Sequence, residues 1–250
     1  VAEIASILKL ANEARVGVVP QSGNTGLVGG QTPHDTNTEI VLSTARLRRL
    51  RAVDAAGYTM TVEAGLTLAE VQAEAEKVGR LFPLSLPSEG SCRIGGNLGT
   101  NAGGVGVLAY GNTRQLVLGL EAVLADGRIW DGLRAVKKDN SGYDLRDLFI
   151  GSEGTLGIIT AAALKLSPLP AEKATALVAL ESPAAALKFF RLAEQHLRSS
   201  LTAFEFWSRL AMQFDGAQDN AKADGLFRRG PNREDESAAA AKNAMRFNQR

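Results

Sequence analysis

Cysteine is nearly absent from this chain. The single one, Cys92, excludes an internal disulfide and any multi-cysteine zinc or iron–sulfur site. A reducing compartment is permitted by that scarcity, not required by it. Long apolar runs are missing too: none approaches the ~20 residues a membrane-spanning helix needs. Neither charge sign is in excess. Twenty-eight basic residues face 27 acidic ones, for a formal charge of +1, and no basic cluster stands out of the kind that nucleic acid or an anionic membrane surface recruits. No signal-peptide pattern precedes the first helical stretch, so a start inside the gene is as compatible with Val1 as a mature terminus. The expected compartment is the cytoplasm, or the inner face of a membrane peripherally.

What the chain does have is glycine, 26 residues of 250. The background is ordinary and globular, 45% hydrophobic and 22% charged, long enough for one large domain or two smaller ones. Val1, Ile4, Ile7, Leu8 and Ala11 share a helical face. VGVVP then reads as a short strand stopped by Pro20, EIVLST (39–44) as a second, and two more flank Ala55–Gly57. Thr67 and Glu70 form a capping box for a helix running to about Val78, with Gly79 as its left-handed stop. Asp126-Gly127 between two apolar runs signals a hairpin. After a proline-punctuated exit the pattern changes: TALVALES reads as a strand, PAAALKFFRLAEQHLRSS as an amphipathic helix, LTAFEFWSR as a strand. This predicts an α+β domain over 1–170 and the beginning of a second over 171–250, with an irregular polar tail from about 215.

The glycines gather in three places. In PQSGNTGLVGGQTP (20–33), Gly23, Gly26, Gly29 and Gly30 with the Ser22 and Thr25 hydroxyls suit either an anion nest of backbone N–H groups or a long turn. No lysine completes a Walker loop, and the loop feeds a strand instead of the helix a Rossmann fingerprint requires. The second cluster, 86–104, carries Gly90, Gly95, Gly96, Gly99, Gly103 and Gly104 with Ser91, Asn97, Thr100 and Asn101 between them. It suits a planar heterocycle on bare backbone, or a glycine-rich crossing in the core. In the third, Gly151, Gly154 and Gly157 lead into Ile158-Ile159, a strand whose backbone could pair with a purine edge. One extended ligand with phosphate, sugar and aromatic parts accounts for all three clusters together.

PQSGNTGLVGG, GSCRIGGNLGTNAGG, YGNTRQLVLGLEAVLADG and LFIGSEGTLGIIT, in this order, closely resemble the FAD-linked oxidase family with its PCMH-type (vanillyl-alcohol-oxidase) FAD domain. Within it they resemble most the FAD-dependent D-2-hydroxyacid dehydrogenases of the D-2-hydroxyglutarate, D-lactate and glycolate-oxidase-subunit group. The resemblance implies an α+β FAD domain of two subdomains followed by a cap domain that binds substrate. It also implies oxidation of a D-2-hydroxyacid to the 2-oxoacid, with electrons passed on to an electron-transfer flavoprotein or quinone; a homo-oligomer is compatible. By motif position, Gln21, Ser22, Gly23, Asn24, Thr25 and Gly26 would carry the pyrophosphate, and Pro20 and Gly30 beside them would also bind the cofactor. Pro87, Gly90, Ser91, Gly95, Gly96 and Asn97 would continue along the phosphate and ribityl part. Thr100, Asn101, Gly103 and Gly104 would lie by the flavin ring, and Gly154, Gly157, Ile158 and Ile159 would meet the adenine end. Some relatives bond FAD through a histidine in the first loop. Asn24 stands there in this chain, which implies non-covalent FAD.

The resembled enzymes also use metal-binding histidines that come later in their chains. His34 and His196 cannot assemble such a site, so no metal is expected here and the catalytic half is expected to be missing. His34 reads as a solvated turn residue and His196 as a helix C-terminal residue. Cys92 reads as a small packed residue, the arginines 46, 48, 49 and 51 as a solvated surface, and Trp130 and Trp207 as core. Glu153 is open between a buried hydrogen-bonding role and one facing FAD.

Overall fold

The computed structural model describes residues 1–208, so the expected irregular tail from 215 lies outside the described residues. The elements in order are α1 (Ala2–Ala14), β1 (Gly17–Gln21), β2 (Glu39–Ser43), β3 (Leu50–Asp54), β4 (Thr59–Glu63), α2 (Leu68–Lys77), β5 (Arg80–Leu81), α3 (Ile94–Gly99), α4 (Val107–Tyr110), β6 (Val117–Val123), β7 (Ile129–Gly132), α5 (Arg146–Phe149), β8 (Ile158–Lys165), β9 (Ser167–Pro168) and α6 (Pro183–Leu197). The chain divides between Pro170 and Ala171 into two units.

Helices and strands mix in the first unit in α+β fashion. β1 and β2 pair in parallel, and α1 buries Ile4 and Leu8 against Leu42, Val123 and Ile158. The main sheet has the order β3-β4-β8-β6-β7, and every pair in it is antiparallel. β8 is its central strand. Its sequence IITAAALK is buried at every position except Lys165, the near-continuous apolar run expected of a strand covered on both faces. Met60, Val62, Leu68, Val71, Phe82, Leu98, Leu120 and Leu164 belong to the larger core. Trp130 is half-buried and stacks on Phe149 at 5.2 Å.

Local signals are met where the chemistry is local. Thr67 Oγ1 accepts from the Glu70 N–H at 3.3 Å, and the Glu70 carboxylate accepts from the Thr67 N–H at 2.8 Å, closing the box that starts α2. Asp126-Gly127 turns β6 into β7, with Gly127 at φ +85°.

Three expectations are corrected. β1 does not stop at Pro20 but runs through it to Gln21. It pairs on one side only, so the donor proline lacks need not be missed. Inside the 86–104 stretch a short helix, α3, forms, three of its glycines included. In the second unit α6 forms, its Ser182 hydroxyl accepting from the Ala185 N–H at 3.2 Å. The strands expected on either side of it do not: 175–182 and 201–208 join no ladder among the described residues, and a strand without a ladder leaves its backbone groups unpaired. Trp207, expected in a core, is 52% exposed.

The arginines before β4 are not simply a solvated surface. Arg51 donates to both oxygens of Glu121 at 3.0 Å and to Glu63 at 3.2 Å. Arg49 joins through its backbone N–H and its Nε, at 2.9 and 3.0 Å from Glu63. The Thr160 hydroxyl donates to Glu121 at 2.6 Å. Burial pushes both carboxyls up, but the arginine hydrogen bonds, with Thr160 at Glu121, outweigh it and hold both below the usual carboxylate range.

Candidate functional site

β1 delivers the chain into the first glycine loop, which is closed by its own glutamines. Gln31 Nε2 donates to the Gly26 carbonyl at 2.9 Å, Gln21 Nε2 donates to the Gln31 carbonyl at 3.3 Å, and the Thr32 N–H reaches the Gly29 carbonyl at 3.0 Å. Asn24 takes a left-handed conformation, φ 54°. Between Gly23 and Val28 no backbone N–H donates to a protein acceptor among the described residues. A run of free N–H groups in a tied, partly left-handed loop is the raw material of an anion nest. Asn24, Thr25, Gly26 and Gly30 are exposed; Pro20, Gln21, Ser22 and Gly23 are half-buried at the loop's foot.

The second cluster packs beneath that loop. A Cβ on Gly23 would stand 2.5 Å from the Ser91 carbonyl oxygen. The Ser22 hydroxyl accepts from the Gly96 N–H at 3.0 Å. At the start of α3 the Ile94 and Gly95 N–H groups are taken by the Leu66 and Ala64 carbonyls at 3.0 and 2.8 Å, so this helix start offers little to an anion. Asn97 is buried, with Nδ2 3.7 Å from the sulfur of buried Cys92. Gly95 and Gly104 are demanded by close crossings: a Cβ would lie 2.9 Å from the Ala64 Cβ and 2.1 Å from the Ser85 carbonyl oxygen, respectively. Pro87, Gly90, Ser91 and Thr100 are exposed, while Asn101 and Gly103 are half-buried. Gly90 and Gly99 are different again, because a Cβ there meets nothing within 4 Å. Nothing among the described residues requires either to be bare.

The third cluster closes on both others. A Cβ on Gly154 would stand 2.5 Å from the Pro20 ring. The Gly151 N–H donates to the Leu98 carbonyl at 3.0 Å and the Glu153 N–H to the Gly99 carbonyl at 2.9 Å. These carbonyls lie at the C-terminal end of α3, where intrahelical donors run out; that of Leu98 also accepts from the Asn101 N–H at 3.0 Å. Glu153 is exposed, at φ 52°. Gly157 is buried, and a Cβ on it would meet the Val123 carbonyl oxygen at 2.5 Å. Ile158 and Ile159 put their side chains into the two cores, 4% and 7% exposed, which leaves only their backbone for a ligand. The fold therefore brings the three glycine segments together.

Two residues of this region escaped sequence reasoning. Gln31 locks the first loop, and Arg114 ties the second cluster to the third: its N–H donates to Asn101 Oδ1 at 3.0 Å and its Nη2 to the Ile150 carbonyl at 2.5 Å. A signal existed for Arg114, as the one basic residue between Tyr110 and Arg128. The histidines stand elsewhere: His34 in an exposed loop, its N–H 2.7 Å from Glu39 Oε2, and His196 in the last turn of α6. No helix among the described residues is long and apolar enough to cross a membrane.

Known proteins share this sequence and fold. The FAD binding domain family matches residues 1–132. The mitochondrial D-2-hydroxyglutarate dehydrogenase of Bos taurus is 44% identical over 211 residues, 84% of this chain and 38% of the relative. The D-2-hydroxyglutarate dehydrogenase of Xanthomonas citri pv. viticola is 42% identical over 213 residues, 85% of this chain and 44% of the relative. Among solved structures, alkyldihydroxyacetonephosphate synthase superposes with a TM-score of 0.60 at 26% identity, over 68% of this chain and 30% of that one. The chain thus spans less than half the length of these relatives. With the family match running from α1 to β7, over the first two of the three glycine segments that the fold packs together, the chain belongs to the FAD binding domain family.

Proposed function

We propose that this chain is the FAD-holding part of a FAD-dependent oxidoreductase that oxidises a D-2-hydroxyacid to the 2-oxoacid. D-2-hydroxyglutarate is the first candidate, with D-lactate and glycolate behind it. The observation that carries the reading is the run of free backbone N–H groups from Gly23 to Val28, set against two glycine segments whose bareness at Gly90 and Gly99 no described residue uses. Bound FAD would supply the acceptor for the hydride leaving C2 of the acid. The first loop, Gln21–Gly26, would hold the pyrophosphate through its N–H groups. Gly90, Ser91, Gly99, Thr100 and Gly103 would form the open face along the ribityl chain and ring. Gly23 and Gly154 would serve by letting the segments approach each other, and Gly95 and Gly104 by letting the backbone pass close to Ala64 and Ser85. Asn24 cannot bond a flavin, so the cofactor would be held non-covalently.

Within this proposal the β1–β2 layer with α1 and the five-stranded sheet are the two α+β subdomains, and the second unit begins a cap domain. The electron acceptor would be an electron-transfer flavoprotein or a quinone, in the cytoplasm or at the inner face of a membrane. For these 250 residues alone a second reading is favoured by the 38% coverage of the Bos taurus relative: an FAD-binding module whose base, substrate-carboxylate cations and any metal lie in further chain or in a partner.

The test is an FAD titration of the purified chain. Wild type should bind FAD and release it into the supernatant on trichloroacetic acid precipitation. Gly99→Leu should abolish tight binding while leaving the melting temperature of the cofactor-free protein unchanged. A yellow pellet would refute non-covalent attachment, and unaltered FAD affinity in Gly99→Leu would refute the groove. Anaerobic D-2-hydroxyglutarate should bleach the flavin in the full-length gene product and leave it unbleached in this chain.

A further inference from the structure

We propose that Arg114 is a positioning residue for the cofactor groove, holding the second and third glycine segments at a fixed separation without itself touching FAD. The inference rests on the reading that FAD lies on those segments. Arg114 acts at both ends of the gap. Its backbone N–H donates to Asn101 Oδ1 at 3.0 Å, fixing a residue held at φ 48°. Its Nη2 donates to the Ile150 carbonyl at 2.5 Å and stands 3.2 Å from where a Cβ on Gly151 would be.

The segment it grips is the one whose next N–H groups cap α3, Gly151 on Leu98 and Glu153 on Gly99. The guanidinium does this at a cost to its own bonding, because its Nε is buried with no acceptor. A merely space-filling arginine would turn that donor toward solvent or a carbonyl, since an unmade buried bond is expensive. The side chain is thus aimed at Ile150 rather than at its own satisfaction. A planar fork carrying a permanent charge can hold a carbonyl at fixed distance and angle in a way a lysine cannot reproduce.

Arg114→Met keeps the unbranched stem and the backbone N–H to Asn101 but loses the guanidinium donors; Arg114→Lys keeps the charge and one side-chain donor. Val71→Ala serves as a stability control, since Val71 is buried on α2 and its apolar side chain makes none of the groove's hydrogen bonds. Arg114→Met should weaken FAD binding on the order of tenfold, the size of one lost charge-assisted bond, read by flavin fluorescence. Arg114→Lys should recover part of that loss. In the cofactor-free protein, amide exchange at Gly151 and Glu153 should accelerate in Arg114→Met, and Val71→Ala should lower the melting temperature with FAD affinity unchanged. Wild-type affinity in Arg114→Met overturns the proposal, as does an equal affinity loss in Val71→Ala at matched loss of stability. If Arg114→Met does not fold, the lysine variant decides by the same two readouts. Should Gly99→Leu bind FAD normally, the groove reading itself fails, whatever Arg114 does.

Discussion

A methyl group on Gly154 would be driven into the Pro20 ring at 2.5 Å, and the residue sits at φ +81°. Gly154→Ala should therefore destabilise the protein by about 1–3 kcal/mol through overpacking and backbone strain together, seen as a fall in melting temperature. At Gly99 the expectation is opposite. It lies in α3, a Cβ there meets nothing, and its φ is not left-handed. Gly99→Ala should be neutral or stabilise by up to about 0.5–1 kcal/mol in thermal melts without cofactor, because alanine loses less backbone entropy. In the sequence these two glycines cannot be told apart. The string shows that a bare backbone is wanted, but not whether a neighbouring strand or a ligand wants it. That distinction depends on Pro20, well over a hundred positions away from Gly154 along the chain.

Elements were legible where their cause is local, as in the α2 capping box and the β6–β7 turn. They were illegible where the cause is a partner distant in sequence. Arg49 and Arg51 stand two residues apart, so in an extended segment they share a face; what lies opposite, Glu63 and Glu121, is known only once β4, β8 and β6 are side by side. Likewise 175–182 has the composition of a strand and no ladder to join among the described residues. The ion cluster makes two predictions. Arg51→Met leaves the buried Glu121 without its arginine, and Glu63 with Arg49 alone, and should cost about 3 kcal/mol in denaturant unfolding. Glu63 and Glu121 titrate below the usual carboxylate range when folded. Their stabilisation is therefore complete above the unfolded value of roughly 4.3 and is lost as the pH falls through the folded values. Melting temperatures should be level near neutrality and drop below about pH 4.5, and Glu121→Gln should flatten that drop while lowering the neutral plateau.

The molecule as a whole separates into a unit ending at Pro170 and a remainder, and the family match lies entirely inside the first. Residues 1–170 expressed alone should fold cooperatively and bind FAD as tightly as the full chain; weaker binding would assign part of the cradle to the residues beyond. The three glycine segments, which the fold brings together, could be picked out in the sequence. Their mutual sealing could not, because it runs through carbonyls and amides, which every residue type carries alike. That sealing bears on the order of assembly. α3 has six residues, three of them glycine, and no such helix persists unsupported. Its last carbonyl, that of Gly99, is answered by Glu153, and that of Leu98 by Gly151 as well as by nearby Asn101; Gly151 and Glu153 come roughly fifty residues later in synthesis, so a loop of that size must close before these ties form. The cradle should then be the last region of the unit to consolidate and the first to open. In native-state hydrogen exchange the α3 amides should become labile as one group well before those of β4, β6 and β8, and added FAD should slow that group most.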